Sequence, residues 1–296
     1  MTNVEPGHTH GTPADLKLAH RLADHADAIA ARHFTADGIA WQAKADGSPV
    51  TAADREIEQA IRILVDQARP GDAFLGEEFG AHGHARRRWI VDAIDGTASF
   101  LAGEPEWGTL IALADGDTVE LGMVTSHACG RRWWAASGSG SWNTNLPTNP
   151  ATPPTHLTVT AATDLHNAAI GIWPPPARLN PRGRTLAANL AAQARTTRPT
   201  LDWYDTTPPA TVRKPSTGSG TCHGALLVAT GQLDAFLLLG AGPWDIAALI
   251  PIVEEAGGAY SDLSDQQTGD TRTALFSTPA IHHQILDIAA RTSRTT

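Results

Sequence analysis

A short apolar run that ends in two acidic residues constrains this chain more than any other stretch: Trp89-Ile90-Val91-Asp92-Ala93-Ile94-Asp95-Gly96-Thr97. Consecutive apolar side chains ahead of the first aspartate read as a buried strand. The glycine and hydroxyl residue after the second aspartate suit a turn that opens a helix. The run therefore delivers two carboxylates to the end of a strand. Two further acidic groups also lie where elements end. Gly76-Glu77-Glu78-Phe79-Gly80 frames two glutamates with glycines, and Trp244-Asp245 begins an apolar helical stretch. Taken singly, each has an ordinary structural reading, since Asp-Gly is a common turn, an aspartate can cap a helix and Glu-Glu can be a solvated face. Packed together, like charges repel, and several carboxylates at strand ends call for a cation. Oxygen ligands without nearby His or Cys favour Mg²⁺, Mn²⁺ or Ca²⁺ over zinc.

The rest of the chain supplies a mixed α and β frame for these groups. Leu16, Leu18, Leu22, Ala26 and Ile29 recur at helical spacing after Thr12-Pro13, and Ile57, Ile61, Leu64 and Val65 do so over 52–68. Thr109–Leu113 and Thr118–Val124 alternate as strands joined at Asp115-Gly116, and Arg132-Trp133-Trp134-Ala135 reads as a third, with one tryptophan inside and one outside. A Gly-, Ser-, Asn- and Pro-rich stretch over 138–154 marks a composition shift. It divides the chain into an N-terminal α+β subdomain, 1–150, and a C-terminal α/β subdomain, 151–296. In the second, 183–195 and 221–231 are helical, and Trp244 to Ala256 reads as one continuous helix ended by Gly257-Gly258.

The chain has 296 residues with 22 basic and 31 acidic, a net charge of −9. That balance excludes bulk-charge binding to a nucleic acid polymer or an anionic membrane. Two cysteines, Cys129 and Cys222, are too few for a disulfide framework, and the polar N-terminus lacks the pattern of a signal peptide, so a cytoplasmic location is expected.

The acidic blocks, in this order, resemble the inositol monophosphatase superfamily. Gly76-Glu77-Glu78, Trp89 through Phe100 and Trp244-Asp245-Ile246-Ala247-Ala248 match its signature blocks, supported by Lys44 through Asp54 and by Glu254-Glu255-Ala256-Gly257-Gly258. Arg69-Pro70-Gly71-Asp72 and Arg131 through Ala135 are most similar to its actinobacterial histidinol-phosphatase branch. The resemblance implies a layered αβαβα sandwich and a homodimeric phosphatase that uses two or three Mg²⁺ ions, with Mn²⁺ as a substitute. It implies Glu77, Asp92, the Ile94 carbonyl, Asp95 and Asp245 as the metal shell, with Asp92 bridging and Glu78 just outside. Asp54 and Thr97 match the pair that orients and deprotonates the attacking water. The backbone N–H groups of Gly96 and Thr97, opening a helix, suit phosphate oxygens.

The sequence departs from the family chiefly on the substrate side. Ala93 stands where the family usually has Pro, and Ala98-Ser99-Phe100 where the branch tends to have Lys-Asn-Phe. Leu238, seven residues before Asp245, replaces a Glu that meets the substrate's organic part. A leucine cannot accept a hydrogen bond, so a polyol or amine would be left unpaired there. The 218–224 stretch, with Cys222 and His223, also differs. Lys44, one of three lysines, lies in a family motif beside the expected site. Leu238, His223, Cys222 and Lys44 are therefore the expected substrate-facing residues. The expected substrate is a small phosphate monoester, such as a nucleotide or a specialised-metabolism intermediate. Histidinol phosphate and inositol 1-phosphate are the alternatives, and a non-catalytic regulatory protein on the same fold is the rival class.

Other features read as structural. His282-His283 reads as a polar pair facing solvent, and Arg86-Arg87-Arg88 as a solvated patch. Cys222 and His223, being adjacent, are not expected to face each other as nucleophile and base. Trp107 and Trp173 are candidates for the substrate mouth.

Overall fold

The structure, a computed structural model, describes residues 11–34, 39–45, 47–149, 151–175, 178–198, 221–264, 266 and 272–295. His8, His10 and the start of the 218–224 stretch lie outside them. Thr12 and Thr51 each close a capping box, with Asp15 and Asp54, and so start α1 (Pro13–His33) and α2 (Ala52–Ala68). A hairpin of β1 (Trp41–Ala43) and β2 (Pro49–Thr51) lies between them. The first large sheet holds β3 (Ala73–Gly76), β4 (Gly80–His82), β5 (Arg87–Asp95), β6 (Gly108–Asp115), β7 (Thr118–Ser126), β8 (Arg131–Ala136), β9 (Ser141–Asn145) and β10 (Thr155–His156), with α3 (Thr97–Ala102) after β5. Its order is β10-β9-β8-β7-β6-β5-β3-β4, and only the β3–β5 pair is parallel. The second sheet follows with β11 (Ala169–Trp173), α4 (Pro181–Ala191), β12 (Thr196–Arg198), α5 (Thr221–Ala229) and β13 (Ala235–Leu239). The chain ends with α6 (Pro243–Ile246), α7 (Leu249–Glu254), β14 (Ala259–Ser261), β15 (Thr273–Ser277) and α8 (Pro279–Thr295). The second sheet's order is β12-β11-β13-β15-β14. The expected boundary at 150/151 thus precedes β10, the edge strand of the first sheet.

Alternation along the strands explains the layers. In β5, Trp89 and Val91 pack against α1 and α2 through Leu22, Ile57 and Ile61, while Ile90 faces the opposite core. That opposite core joins β6 and β7 to α5 and α7 through Leu110, Val124, Leu226 and Leu249, and then to Phe236 and Leu238 of β13. Ala235 and Leu237 point the other way, onto α4 and α8, with Leu186, Leu190, Ile281 and Ile285. The result is helices, sheet, helices, sheet, helices: the αβαβα sandwich. Among the described residues no helix is long and apolar enough to cross a membrane.

Four sequence expectations are corrected by this layering. Trp133 and Trp134 are both buried, because helices cover both faces of the first sheet. The helix expected over 244–256 is two short helices, since Pro251 has no N–H to continue the ladder onto Ala247. Arg87 is no solvated arginine: it bridges Asp15 of α1 at 2.5 Å and Asp72 at 3.0 Å. His282 is buried, its ring nitrogens 2.9 Å from Ser261 Oγ and 2.7 Å from Ser277 Oγ.

The middle helices lie directly on β7 at Gly122. A Cβ there would sit 2.0 Å from the Ala248 carbonyl oxygen and 2.8 Å from Pro251 Cγ. Gly122→Ala is therefore expected to lower stability by about 1–3 kcal/mol through overpacking, read as a lower denaturation midpoint. An unchanged midpoint would mean that the layers are not in contact there.

Candidate active site

Regular pairing of β5 with β6 breaks between Asp92 and Asp95. In an unbroken strand, residues three apart point to opposite faces. The irregularity instead turns both carboxylates to one place. Asp92 Oδ1 accepts the Ile94 N–H at 3.0 Å, and the Ala93 carbonyl accepts the Thr109 hydroxyl at 2.7 Å. Gly96 then takes a left-handed conformation (φ 86°) as the N-cap of α3. The turn into α6, which packs against β5, brings in Asp245, whose Oδ2 accepts the Gly242 N–H at 2.6 Å. Carboxylate oxygens of Asp92, Asp95 and Asp245 lie within 4.8 Å of one another.

A second carboxylate pair arrives from β3, which runs parallel to β5 and carries Glu77 and Glu78 past its end. The β1–β2 turn reaches over them with Lys44, whose Nζ donates to Glu77 Oε1 at 2.7 Å and to Glu78 Oε1. Asp54, at the start of α2, accepts the Thr51 N–H and hydroxyl on Oδ2. Its Oδ1 lies 3.4 Å from Thr97 Oγ1, which also lies 3.1 Å from the Ile94 carbonyl oxygen. The first turns of α2 and α3 therefore meet at the carboxylate cluster.

The electrostatics follow from burial. Burial, reinforced by Glu77, Asp95 and Asp245, holds Asp92 well above the usual carboxylate range. Burial and the Asp95 charge push Asp245 up to about 8 against the pull of the Gly242 N–H. Burial raises Asp54 despite its bonds from Thr51, and raises Glu78 despite Lys44. Burial lowers the Lys44 ammonium, but its bonds to Glu77 and Glu78 outweigh that and leave it above the ordinary lysine value. One ammonium at the Glu77–Glu78 edge does not compensate three converging aspartates. The oxygen-only donor set at Asp92, Asp95 and Asp245 fits a hard divalent cation.

Two contributors are not evident in the motifs. Glu58 of α2 is fully buried and accepts the Glu78 N–H at 2.7 Å and the Phe79 N–H at 2.9 Å. Its carboxylate thus sets the turn that carries Glu77 and Glu78. The second is backbone: the Cys222 N–H, in the first turn of α5, donates to Asp95 Oδ2 at 2.6 Å.

The expected substrate-facing residues separate. Lys44 reaches the glutamates. Leu238 is 1% exposed and packs in the core between the sheets. Cys222 and His223 are fully buried, and they do face each other, with Sγ 3.3 Å from Nδ1. The opposite ring nitrogen, Nε2, lies 4.0 Å from Cys129 Sγ, so His223 is enclosed between two thiols. Trp107 is not at a mouth either: it is buried against Phe34 and Phe100, with centroids 5.2 and 4.9 Å away.

Comparison with known proteins agrees with this geometry. The model of the inositol monophosphatase family matches residues 14–294. A histidinol-phosphatase from Mycobacterium tuberculosis is 33% identical over 273 residues, covering 92% of this chain and 96% of the relative. A Streptomyces griseus protein named glucose-1-phosphate thymidylyltransferase is also 33% identical over 273 residues, covering 90% and 93%. An inositol monophosphatase structure from Zymomonas mobilis superposes with a TM-score of 0.73 at 28% identity, covering 94% and 97%. The chain belongs to the inositol monophosphatase family, and its activity is that of a metal-dependent phosphoric monoester hydrolase.

Proposed function

We propose that Glu77, Asp92, the Ile94 carbonyl, Asp95 and Asp245 would hold two or three Mg²⁺ ions, and that Mn²⁺ can replace them. Bound there, the ions would neutralise the phosphate, lower the pKa of a water and stabilise the leaving alkoxide. The rest of the work falls to side chains. Asp54 Oδ1 and Thr97 Oγ1, 3.4 Å apart, are close enough for one water to contact both and be oriented for attack on the phosphate. Burial raises the proton affinity of Asp54, which suits it to accept that water's proton. The N–H groups of Gly96 and Thr97 would bind phosphate oxygens, and Lys44 would hold Glu77 and Glu78 in place. The observation that carries this reading is the meeting of the three aspartates with the Asp54–Thr97 pair. The two free buried thiols suit a reducing cytoplasm, and a homodimer completes the proposal.

The substrate in this reading is a small phosphate monoester, such as a nucleotide or a specialised-metabolism intermediate; buried Leu238 takes no part in choosing it. Histidinol phosphate is the second reading, favoured by the name of the Mycobacterium tuberculosis relative. Phosphate release by the purified protein with Mg²⁺ separates them, across nucleoside monophosphates, sugar phosphates, myo-inositol 1-phosphate and L-histidinol phosphate. The expected result is a kcat/KM for a nucleotide or sugar phosphate at least about ten-fold above that for inositol 1-phosphate, about 1.4 kcal/mol of transition-state binding. Preference for histidinol phosphate would establish the second reading. Release from none of them would return the chain to the non-catalytic class.

A further inference from the structure

Next to the oxygen-only cluster lies a donor set of a different chemical kind. The Asp95 carboxylate, the Cys222 thiol and the His223 imidazole each offer a ligand atom, all within 4.8 Å of one another, and Asp95 belongs to both groups. Cys222 Sγ and His223 Nδ1 are 3.3 Å apart. Two ligands of one tetrahedral zinc, with Zn–S about 2.3 Å and Zn–N about 2.0 Å, would be about 3.5 Å apart. Thiolate and imidazole select Zn²⁺ or Cd²⁺ over Mg²⁺, which the aspartates prefer. All three residues are buried, so the set is screened from bulk water on the same terms as the aspartates. With Nδ1 turned to Cys222, the other ring nitrogen faces Cys129 Sγ at 4.0 Å, which supports the ring from behind without joining the set.

We propose that Asp95, Cys222 and His223 form a site for one soft divalent ion of the Zn²⁺ or Cd²⁺ class, and that filling it inhibits the enzyme by drawing Asp95 away from the hard-ion cluster. Coordination converts the Cys222 thiol to a thiolate; its proton leaves to solvent and its lone pair goes to the ion, with no redox change. The inhibition rests on the Mg²⁺ reading of Asp95, whereas the binding does not.

The test is a Cd²⁺ titration of the metal-free full chain, followed by the ultraviolet thiolate-to-Cd²⁺ charge-transfer band. A band saturating at one ion per chain is expected. It should vanish in Cys222→Ser, persist in Cys129→Ala, and need about ten-fold more Cd²⁺ or beyond in His223→Asn. Absence of the band in folded wild-type protein, its survival in Cys222→Ser, or its loss in Cys129→Ala would overturn the site. Should Cys222→Ser fail to fold, His223→Asn decides, and an unchanged affinity counts against the proposal. Phosphate release is measured separately with Mg²⁺ and added Zn²⁺. Zn²⁺ inhibition relieved by a chelator supports the regulatory part, and unchanged turnover at saturating Zn²⁺ refutes it. Cd²⁺ binding to a protein that hydrolyses no monoester would remove the catalytic reading and leave the metal site standing.

Discussion

Asp95→Asn should abolish Mg²⁺-dependent phosphate release without weakening the metal-free fold. The substitution is isosteric, and the amide oxygen can still accept the Cys222 N–H that orients Asp95 at 2.6 Å. What it removes is one negative charge from a cluster in which burial first, and then neighbouring charges that include Asp95, hold Asp92 and Asp245 above the carboxylate range. Loss of residues that merely support metal ligands typically lowers metal affinity or activity about 10–100-fold. Removing a ligand's charge should therefore exceed about 100-fold in kcat/KM. Stability should move in the opposite sense. In chelator, relief of repulsion leaves the variant's melting temperature equal to wild type or higher. On adding Mg²⁺, wild type should gain stability by linkage and the variant should gain little. Turnover within ten-fold of wild type, or an undiminished Mg²⁺ shift in melting, would remove Asp95 from the metal shell.

The fold and the site were legible in the sequence to different depths. The consecutive apolar residues Trp89, Ile90 and Val91 announced a buried strand, and it is packed on both faces. The burial of both Trp133 and Trp134 was not legible in the same way, because nothing local says whether a second helix layer covers a strand. Pro251 was visible as a helix breaker, yet the apolar stripe from Leu249 to Ala256 masked it. At the site, the aspartates were legible because paired acids at a strand end have few cheap structural explanations. Glu58 was not, since it sits in α2 among other charged residues and its partners are backbone groups twenty residues away. Cys222 was judged by its thiol, while its nearest tie to the site is its peptide N–H. The one sequence trace of Glu58 was Gly76, a glycine whose need is steric.

That need gives the second large effect. A Cβ on Gly76 would lie 1.9 Å from Glu58 Oε1 and 2.1 Å from its Cδ. A flexible, exposed side chain could swing aside, but Glu58 is fully buried and both of its oxygens hold peptide N–H groups of the Glu78–Phe79 turn. In Gly76→Ala, either the carboxylate moves and strands those donors, or β3 moves away from α2. Stranding buried donors costs about 1–3 kcal/mol and overpacking a similar amount. Gly76→Ala should therefore lose about 1–3 kcal/mol of stability by whichever route it takes. It should also shift the Glu77–Glu78 turn, so that the Mg²⁺ concentration for half-maximal activity rises more than kcat falls at saturation. Glu58→Gln, which keeps one acceptor, should show the same Mg²⁺ effect in milder form. The decisive comparison is a double-mutant cycle. Truncating the obstructing carboxylate in Glu58→Ala makes room for the new methyl, so Gly76→Ala added to Glu58→Ala should cost little more. Strict additivity of the two losses, or a Gly76→Ala protein with wild-type melting and Mg²⁺ dependence, would show that Glu58 does not set the geometry of the Glu77–Glu78 turn.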